Sequence, residues 1–259
     1  MKFGFIGMGN MAKALVTGFL STGKVAPGDV AAYAPHREKL KKNAAEIGFT
    51  ALESARAVAE FADVVVMACK PQQIEGVVAE LGKALSGKAL LSVALGFDFA
   101  RYQAILPDDV RVQFVMPNTP ASVGEGVFLM EETTSFQKEE LDFLKELLSS
   151  LGTVLVLPTA QMGIGGAIAG CGPAFVDMMI EAFADAGVRY GLTRDNALKM
   201  TSQMILGSAK LQLETGKHPG ELKDAVCSPG GSTIKGVAAL EQAGFRANCI
   251  SAIDAIMKK

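Results

Sequence analysis

Lys2-Phe3-Gly4-Phe5-Ile6-Gly7-Met8-Gly9-Asn10-Met11-Ala12 carries the strongest pointer to the architecture. A short apolar run, Lys2–Ile6, meets Gly-x-Gly-x-x-Ala, and helical spacing follows over Met11–Leu20. That is a strand, a tight glycine turn and a helix start, the setting in which this fingerprint cradles a dinucleotide. Gly7 permits the turn, Gly9 lets the backbone approach a pyrophosphate, and Ala12 is small enough for close helix–strand packing. The helix N-terminus adds free N–H groups and the positive end of the dipole. Taken alone, a glycine-rich turn in an ordinary α/β domain explains the same letters.

Working outward, apolar runs at Val30–Ala34, Val64–Ala68, Leu90–Ala94, Val112–Val115, Val127–Met130 and Val154–Leu157 read as further strands. Helical spacing over Arg37–Ile47, Gln72–Leu85 and Phe136–Leu148 separates several of them. Strands alternating with helices imply crossover units and a mainly parallel sheet. Val64-Val65-Val66-Met67-Ala68 is apolar without alternation, as a central strand covered on both faces must be. The fold class is α/β, a doubly wound Rossmann-type sheet over residues 1–158. Beyond Pro158 strand-like runs vanish and Ala, Met, Leu and Gly take over. Thr193 reads as the N-cap of a helix to about Glu214, ended by Gly216, and another helix runs from about Ser232 to Gln242, closed by Gly244. Residues 159–259 form an all-α domain, apolar around much of its helices. So small a domain cannot bury that surface alone, which predicts an obligate homodimer, the alternative being that the helices pack only on the first domain.

The 259 residues carry 25 Lys+Arg against 27 Asp+Glu, a formal net charge of −2. Without a basic excess there is no electrostatic footprint for nucleic acid. No Trp and 7% aromatic residues leave no stacking platform for single strands. The apolar stretch Met162–Val176 is shorter than a membrane span needs and reads as a buried helical region. The run before Gly7 is too short for a signal peptide. Cys69, Cys171, Cys227 and Cys249 form no Cys-x-x-Cys pair, so reduced thiols and a cytoplasmic location are expected, with no membrane and no nucleic acid as partner. With His36 and His218 the only histidines, no metal site is expected.

Enzymes that use NAD place a carboxylate at the end of the second strand for the ribose 2′-hydroxyl. Here the segment reads Tyr33-Ala34-Pro35-His36-Arg37. A carboxylate would repel a 2′-phosphate, whereas Arg37, and with it His36, could pair with one. NADPH is therefore the preferred coenzyme, with NADH use left open. Arg37 as a solvated residue of the next helix is the plainer alternative. Ala68, Lys70 and Pro71 end the central strand, where they would face the ligand crevice, and Pro71 is ordinary helix-start chemistry. In Met116-Pro117-Asn118-Thr119-Pro120, Asn118 could bond the cofactor or cap the turn.

The most informative segment is His218-Pro219-Gly220-Glu221-Leu222-Lys223-Asp224-Ala225-Val226-Cys227-Ser228-Pro229-Gly230-Gly231-Ser232-Thr233-Ile234. A short helix ends in a Ser-Pro-Gly-Gly loop from which a new helix starts. The N–H groups of Gly231, Ser232 and Thr233 would hold a small carboxylate, with hydroxyls from Ser228 and Thr233. A glycine turn with Ser232 or Thr233 as N-cap explains the same residues without a ligand.

The string from Pro219 to Glu241, centred on Cys227-Ser228-Pro229-Gly230-Gly231-Ser232-Thr233, resembles the signature of the pyrroline-5-carboxylate reductase family. Gly4 to Ala12, Lys70-Pro71, Asn118-Thr119-Pro120, Gly170-Cys171-Gly172-Pro173-Ala174 and Ala184-Asp185-Ala186-Gly187-Val188 are similar to that family in the same order. The resemblance implies NADPH-dependent reduction of 1-pyrroline-5-carboxylate to L-proline by a helical domain interlocked with a second subunit, some members associating further. It implies that Ser228, Gly230, Gly231, Ser232 and Thr233 hold the substrate, with Thr233 bonding the ring nitrogen as the catalytic residue. It puts Gly7, Met8, Gly9, Asn10, Met11, Tyr33, Ala34, Pro35, His36, Arg37, Ala68, Lys70, Pro71 and Asn118 on the cofactor side. The chain departs from the family at Cys171, commonly Ser, and Phe175, commonly Tyr. A β-hydroxyacid dehydrogenase, the rival enzyme, typically uses a lysine on the first long helix of its second domain, and Gln161 to Tyr190 contains none. A dinucleotide sensor that reuses the fold would have no use for the Ser228–Thr233 loop.

Overall fold

The computed structural model describes residues 1–258. Its strands are β1 (Phe3–Ile6), β2 (Val30–Tyr33), β3 (Thr50–Ala51), β4 (Val64–Met67), β5 (Ala89–Ser92), β6 (Arg111–Met116), β7 (Gly126–Thr134) and β8 (Gly152–Leu157). They form one sheet in the order β3-β2-β1-β4-β5-β6-β7-β8. All neighbours are parallel except β6 and β7. The helices of this part are α1 (Asn10–Ser21), α2 (Arg37–Ile47), α3 (Ala55–Phe61), α4 (Ile74–Leu81), α5 (Phe99–Gln103), α6 (Lys138–Ser149) and α7 (Thr159–Ala169).

The unbroken apolar run of β4 is explained by its two faces. Val64 and Val66 enter one core with Phe3, Phe5, Leu15 and Phe19, and Val65 and Met67 enter another with Val58, Ile74 and Leu81. Full burial of one such side chain stabilises the fold by about 1.5–3 kcal/mol. The strand order reverses between β1 and β4, which opens the crevice where doubly wound sheets bind ligands.

The structure departs from the sequence reading in a few places. β3, α3 and α5 were not expected. β3 is only two residues long, and α3 and α5 are short helices started by capping, from Ser54 Oγ to the Ala57 N–H at 3.1 Å and from Asp98 Oδ1 to the Arg101 N–H at 3.0 Å. The helix expected over Gln72–Leu85 is interrupted, because Gly82 takes φ +47° after α4 and 3₁₀ turns flank it. The stretch Met162–Val176, expected to be one buried helical region, is two helices divided at Gly170 and Cys171. Met162, Gly166 and Ala167 are buried in it, while Ala174, Phe175 and Val176 are exposed. By length and composition residues Thr159–Arg189 could cross a membrane.

The chain divides into two compact units, Met1–Pro173 and Ala174–Lys259. α7 lies in the first. A Cβ on Gly165 would come within 2.7 Å of the Leu129 side chain, and one on Gly166 would overlap the Met116 sulfur. The two glycines thus let α7 approach the sheet at close range.

The second unit contains most of α8 (Gly172–Arg189), with α9 (Arg194–Thr215), α10 (Pro219–Ala225), α11 (Ser232–Gln242) and α12 (Phe245–Met257). α9 begins and ends as its letters require: Thr193 Oγ1 accepts from the Asn196 N–H, and Gly216 closes it at φ +62°. His218 serves as a cap too, its Nδ1 accepting from the Gly220 N–H at 3.1 Å. Among the described residues of this unit only Ala184, Ala197 and Thr201 are buried. Met178, Phe183, Tyr190, Met200, Leu211, Leu213 and Ile250 are exposed.

Candidate active site

The crevice begins at the glycine turn. Gly7 takes φ +104°, its N–H donates to Tyr33 O at 2.8 Å, and a Cβ there would lie 2.5 Å from Ala68 O. No other residue fits, since φ and space both exclude a side chain. Gly9 is different. Its φ of −79° suits any residue, and a Cβ built on it meets nothing within 4 Å. Gly9 leaves open the space directly before the N-terminus of α1, where the first amides lack intrahelical acceptors. Ala12 is buried against the sheet.

That space belongs to a cavity of about 460 Å³. Gly7, Met8, Gly9, Tyr33, Ala34, Pro35, His36, Ala68 and Lys70 all line it, as the sequence led one to expect. Ile6, Lys39, Leu40, Asn43, Cys69, Gln73 and Val77 line it as well. These were not singled out, although His36, Lys39, Leu40 and Asn43 share the i, i+3, i+4, i+7 spacing of one helix face, a signal the sequence did carry. Burial pushes the Cys69 thiol above its ordinary pKa, with only partial offset from a backbone hydrogen bond. Burial thus favours the thiol form of Cys69 in the cavity wall.

Five expected cofactor residues fall outside this lining. Arg37 sits one residue round the helix from His36 and is turned to Glu53. Its guanidinium donates to Glu53 O at 2.8 Å and pairs with the Glu53 carboxylate. Asn118 is buried, and both ends of its amide are engaged: Nδ2 donates to Ala169 O at 3.0 Å and Oδ1 accepts from the Val127 N–H at 2.9 Å. It clasps the loop after β6 to β7 and to the end of α7. Pro71 stands at the first position of a 3₁₀ turn, and Met11 is in the first turn of α1. Asn10, the first residue of α1, also lies outside the lining, though its N–H remains available at the helix start.

In the second unit the loop before α11 is built by glycine. Gly230 adopts φ +69°, and the Gly231 N–H donates to Ser228 O at 3.0 Å. The expectation that Gly231 offers its N–H to a ligand is therefore corrected: the turn itself uses that donor. Gly231 has a steric role instead, because a Cβ there would overlap Ser228 Oγ. Gly231 is also the N-cap, and it makes no side-chain cap bond. Ser232 and Thr233 are consequently not caps but the first two helical residues, with exposed side chains and first-turn amides free of intrahelical acceptors. Glu221 and Asp224 on α10 pair with Lys217 and Lys223 at the surface, as solvated helix positions do. Among the described residues no cluster of His, Cys, Asp and Glu could hold a metal.

Comparison with known proteins gives the family. Residues 159–259 match the family model for pyrroline-5-carboxylate reductase dimerisation, and residues 2–96 match the model named NADP oxidoreductase coenzyme F420-dependent. The chain is 39% identical to pyrroline-5-carboxylate reductase of Treponema pallidum over 99% of each chain. It is 39% identical to that of Escherichia coli over 100% of this chain and 96% of the relative. The crystal structure of Plasmodium falciparum pyrroline carboxylate reductase with NADP bound superposes with a TM-score of 0.90 at 29% identity, covering 99% of this chain and 95% of that one.

Proposed function

The chain belongs to the pyrroline-5-carboxylate reductase family, and we infer from this that its two loops divide the work of one reaction, the reduction of 1-pyrroline-5-carboxylate to L-proline. It is an NADPH-dependent oxidoreductase of proline biosynthesis. One observation carries this reading: the similarity covers 99–100% of the chain and so spans both the half that holds the Gly7–Ala12 turn and the half that holds the Ser228–Thr233 loop.

The residues fit the coenzyme. The direction in which a Gly9 Cβ would point is clear for 4 Å and lies at a helix N-terminus, as a pyrophosphate requires. Gly7, Met8 and Gly9 with the amides of Asn10 and Met11 hold the pyrophosphate. Tyr33, Ala34, Pro35, His36, Ala68 and Lys70 flank it. When bound, NADPH supplies the hydride. At the other loop, the amides of Ser232 and Thr233 and the Ser228 hydroxyl hold the substrate carboxylate, with Gly230 and Gly231 shaping the turn. Holding the acidic ring at one pose converts an encounter into an oriented reaction.

The imine nitrogen must carry a proton before the ring carbon is a good hydride acceptor. A threonine hydroxyl is too weak an acid to supply that proton alone. The Thr233 hydroxyl either accepts from the N–H of a substrate bound in protonated form or relays a proton from water. No carboxylate on α10 has a better claim, since Glu221 and Asp224 already pair with lysines.

The helices of residues 174–258, exposed and apolar in the single chain, are covered by a second copy of this chain, giving a homodimer. Pro158 remains the boundary between cofactor and substrate domains in this reading, and the enzyme works in the cytoplasm. The test is NADPH oxidation with pyrroline-5-carboxylate set against NADP⁺ reduction with a 3-hydroxyacid. Turnover of the imine alone is expected. Turnover of the hydroxyacid alone, or NADPH binding without turnover of either, would overturn the reading.

A further inference from the structure

His36, the residue before α2, and Lys39, Leu40 and Asn43 within it line the cavity. Asn43 is the odd member. It is 6% exposed, and its Nδ2 is buried with no hydrogen-bond partner. An unpaired buried donor costs a fold about 1–3 kcal/mol, and Asn is a poor helix former besides. Leu40, one turn earlier on the same face, shows what the fold alone would prefer there. Asn43 therefore brings the apo fold a cost and no visible return. Lys39 lines the same wall and makes no ion pair among the described residues, whereas Arg37, two residues earlier in the chain, is held by Glu53.

We propose that Asn43 is a specificity-determining residue for the coenzyme, its amide hydrogen-bonding the adenosine 2′-phosphate end, with the Lys39 ammonium one turn earlier facing the phosphate. This rests on the reading that the cavity takes NADPH. The pyrophosphate belongs at Gly9 and the N-terminus of α1. The wall that continues past the end of β2 along two turns of α2 then faces the part of the ligand beyond it on that side, which is the adenosine. The torsion that carries the Asn43 amide is broad and roughly two-fold, so a turn about it exchanges the oxygen and NH₂ ends at low cost when an acceptor arrives. After that turn the NH₂ end faces the cavity, and bound ligand gives it the acceptor it otherwise lacks.

The experiment uses the full-length protein, Asn43→Ala and Lys39→Ala. Two measurements are made: calorimetric titration with NADPH, 2′,5′-ADP and 5′-ADP, and thermal melting without ligand. For Asn43→Ala we expect a melting temperature equal to or above wild type, together with a roughly tenfold weaker dissociation constant for both NADPH and 2′,5′-ADP. For Lys39→Ala we expect weaker binding of 2′,5′-ADP and unchanged binding of 5′-ADP. Unchanged 2′,5′-ADP binding by Asn43→Ala, or a lowered melting point or failure to fold, would mean the amide serves the fold and would overturn the proposal. A wild-type protein that binds neither NADPH nor 2′,5′-ADP would instead bring down the coenzyme reading on which it rests.

Discussion

Replacing Gly9 by alanine separates what the fingerprint does for the fold from what it does for the ligand. In the free protein the added methyl meets no atom within 4 Å, and φ −79°, ψ −174° is ordinary extended backbone for alanine. The only structural cost is that alanine is a poorer N-cap than glycine, about 0.5–1 kcal/mol. For a chain of this size that lowers Tm by about 1–4 °C. Gly7→Ala must behave otherwise. At φ +104° the backbone strain is about 1–3 kcal/mol, and the overlap with Ala68 O adds a similar amount. In the bound state the Gly9 methyl occupies the space into which the pyrophosphate must come. Loss of even one or two amide-to-phosphate bonds, at about 1.5–3 kcal/mol for a charged partner, weakens binding by at least tenfold. The assay is differential scanning fluorimetry of both apo variants beside titration with NADPH. Gly9→Ala should melt near wild type yet bind far more weakly, while Gly7→Ala loses stability first. Wild-type NADPH affinity in a folded Gly9→Ala protein would refute the placement of the pyrophosphate at this turn.

Thr233→Ala should lower kcat by about a hundredfold while leaving the NADPH dissociation constant unchanged, read by steady-state kinetics beside direct titration. Equal activity in the variant removes Thr233 from the mechanism. Asn118→Ala should cost about 2–4 kcal/mol by denaturant titration, because it leaves the Val127 N–H and Ala169 carbonyl without their partner, and should not alter NADPH affinity. A selective loss of affinity would return Asn118 to the coenzyme. Arg111 donates from Nε and Nη2 to both carboxylate oxygens of Glu140, at 2.9 and 2.6 Å. Burial alone would raise the Glu140 pKa, but bonds from Arg111 and the Gln137 N–H outweigh it and leave the carboxyl below its ordinary 4.5. Its contribution is therefore full above that value and is lost as pH falls through the lowered one. Glu140→Gln should remove about 1 kcal/mol at neutral pH and flatten the acid limb of a stability–pH curve below 4.5. Dilution should reduce Tm and specific activity together, since almost nothing in residues 174–258 is buried in one chain. A concentration-independent Tm would argue against the homodimer.

What the sequence made legible was local. Thr193 and Gly216 bracket α9 because a cap bond spans three residues and a left-handed residue needs no partner at all. Gly7 and Gly9 were readable because the strand, turn and helix that give them meaning lie within a dozen letters. The unbroken β4 run announced burial on two faces, and two cores cover it. What escaped depends on partners far along the chain. Arg37 looks like a free cation until Glu53 is folded against it, and Asn118 looks like a ligand until Ala169 and Val127 take both ends of its amide. The antiparallel β7 was a missed inference rather than a hidden one. Residues 117–125 are too few for the crossover that a parallel neighbour of β6 would need.

In the coenzyme half Arg37 and Asn118 are both engaged within the protein, and for one cause. A side chain nominated by type alone, a cation for a phosphate or an amide for a carboxamide, competes for that role with every polar group the fold brings near it. The backbone does not face that competition. Gly7, Gly9, Ala34 and Ala68 line the cavity through main chain or the smallest side chains, and the sequence identified all four. Gly231 is the converse case, a main-chain donor that the turn claims first. The donors left over at α11 are the amides of Ser232 and Thr233, which helix geometry itself leaves without intrahelical acceptors. The chemistry of this chain is thus anchored at two helix N-termini, each preceded by glycine, one in each unit. Both attract negative charge for the same reason, and the ligands of this reaction, a pyrophosphate and a ring carboxylate, each offer one anion for such a site.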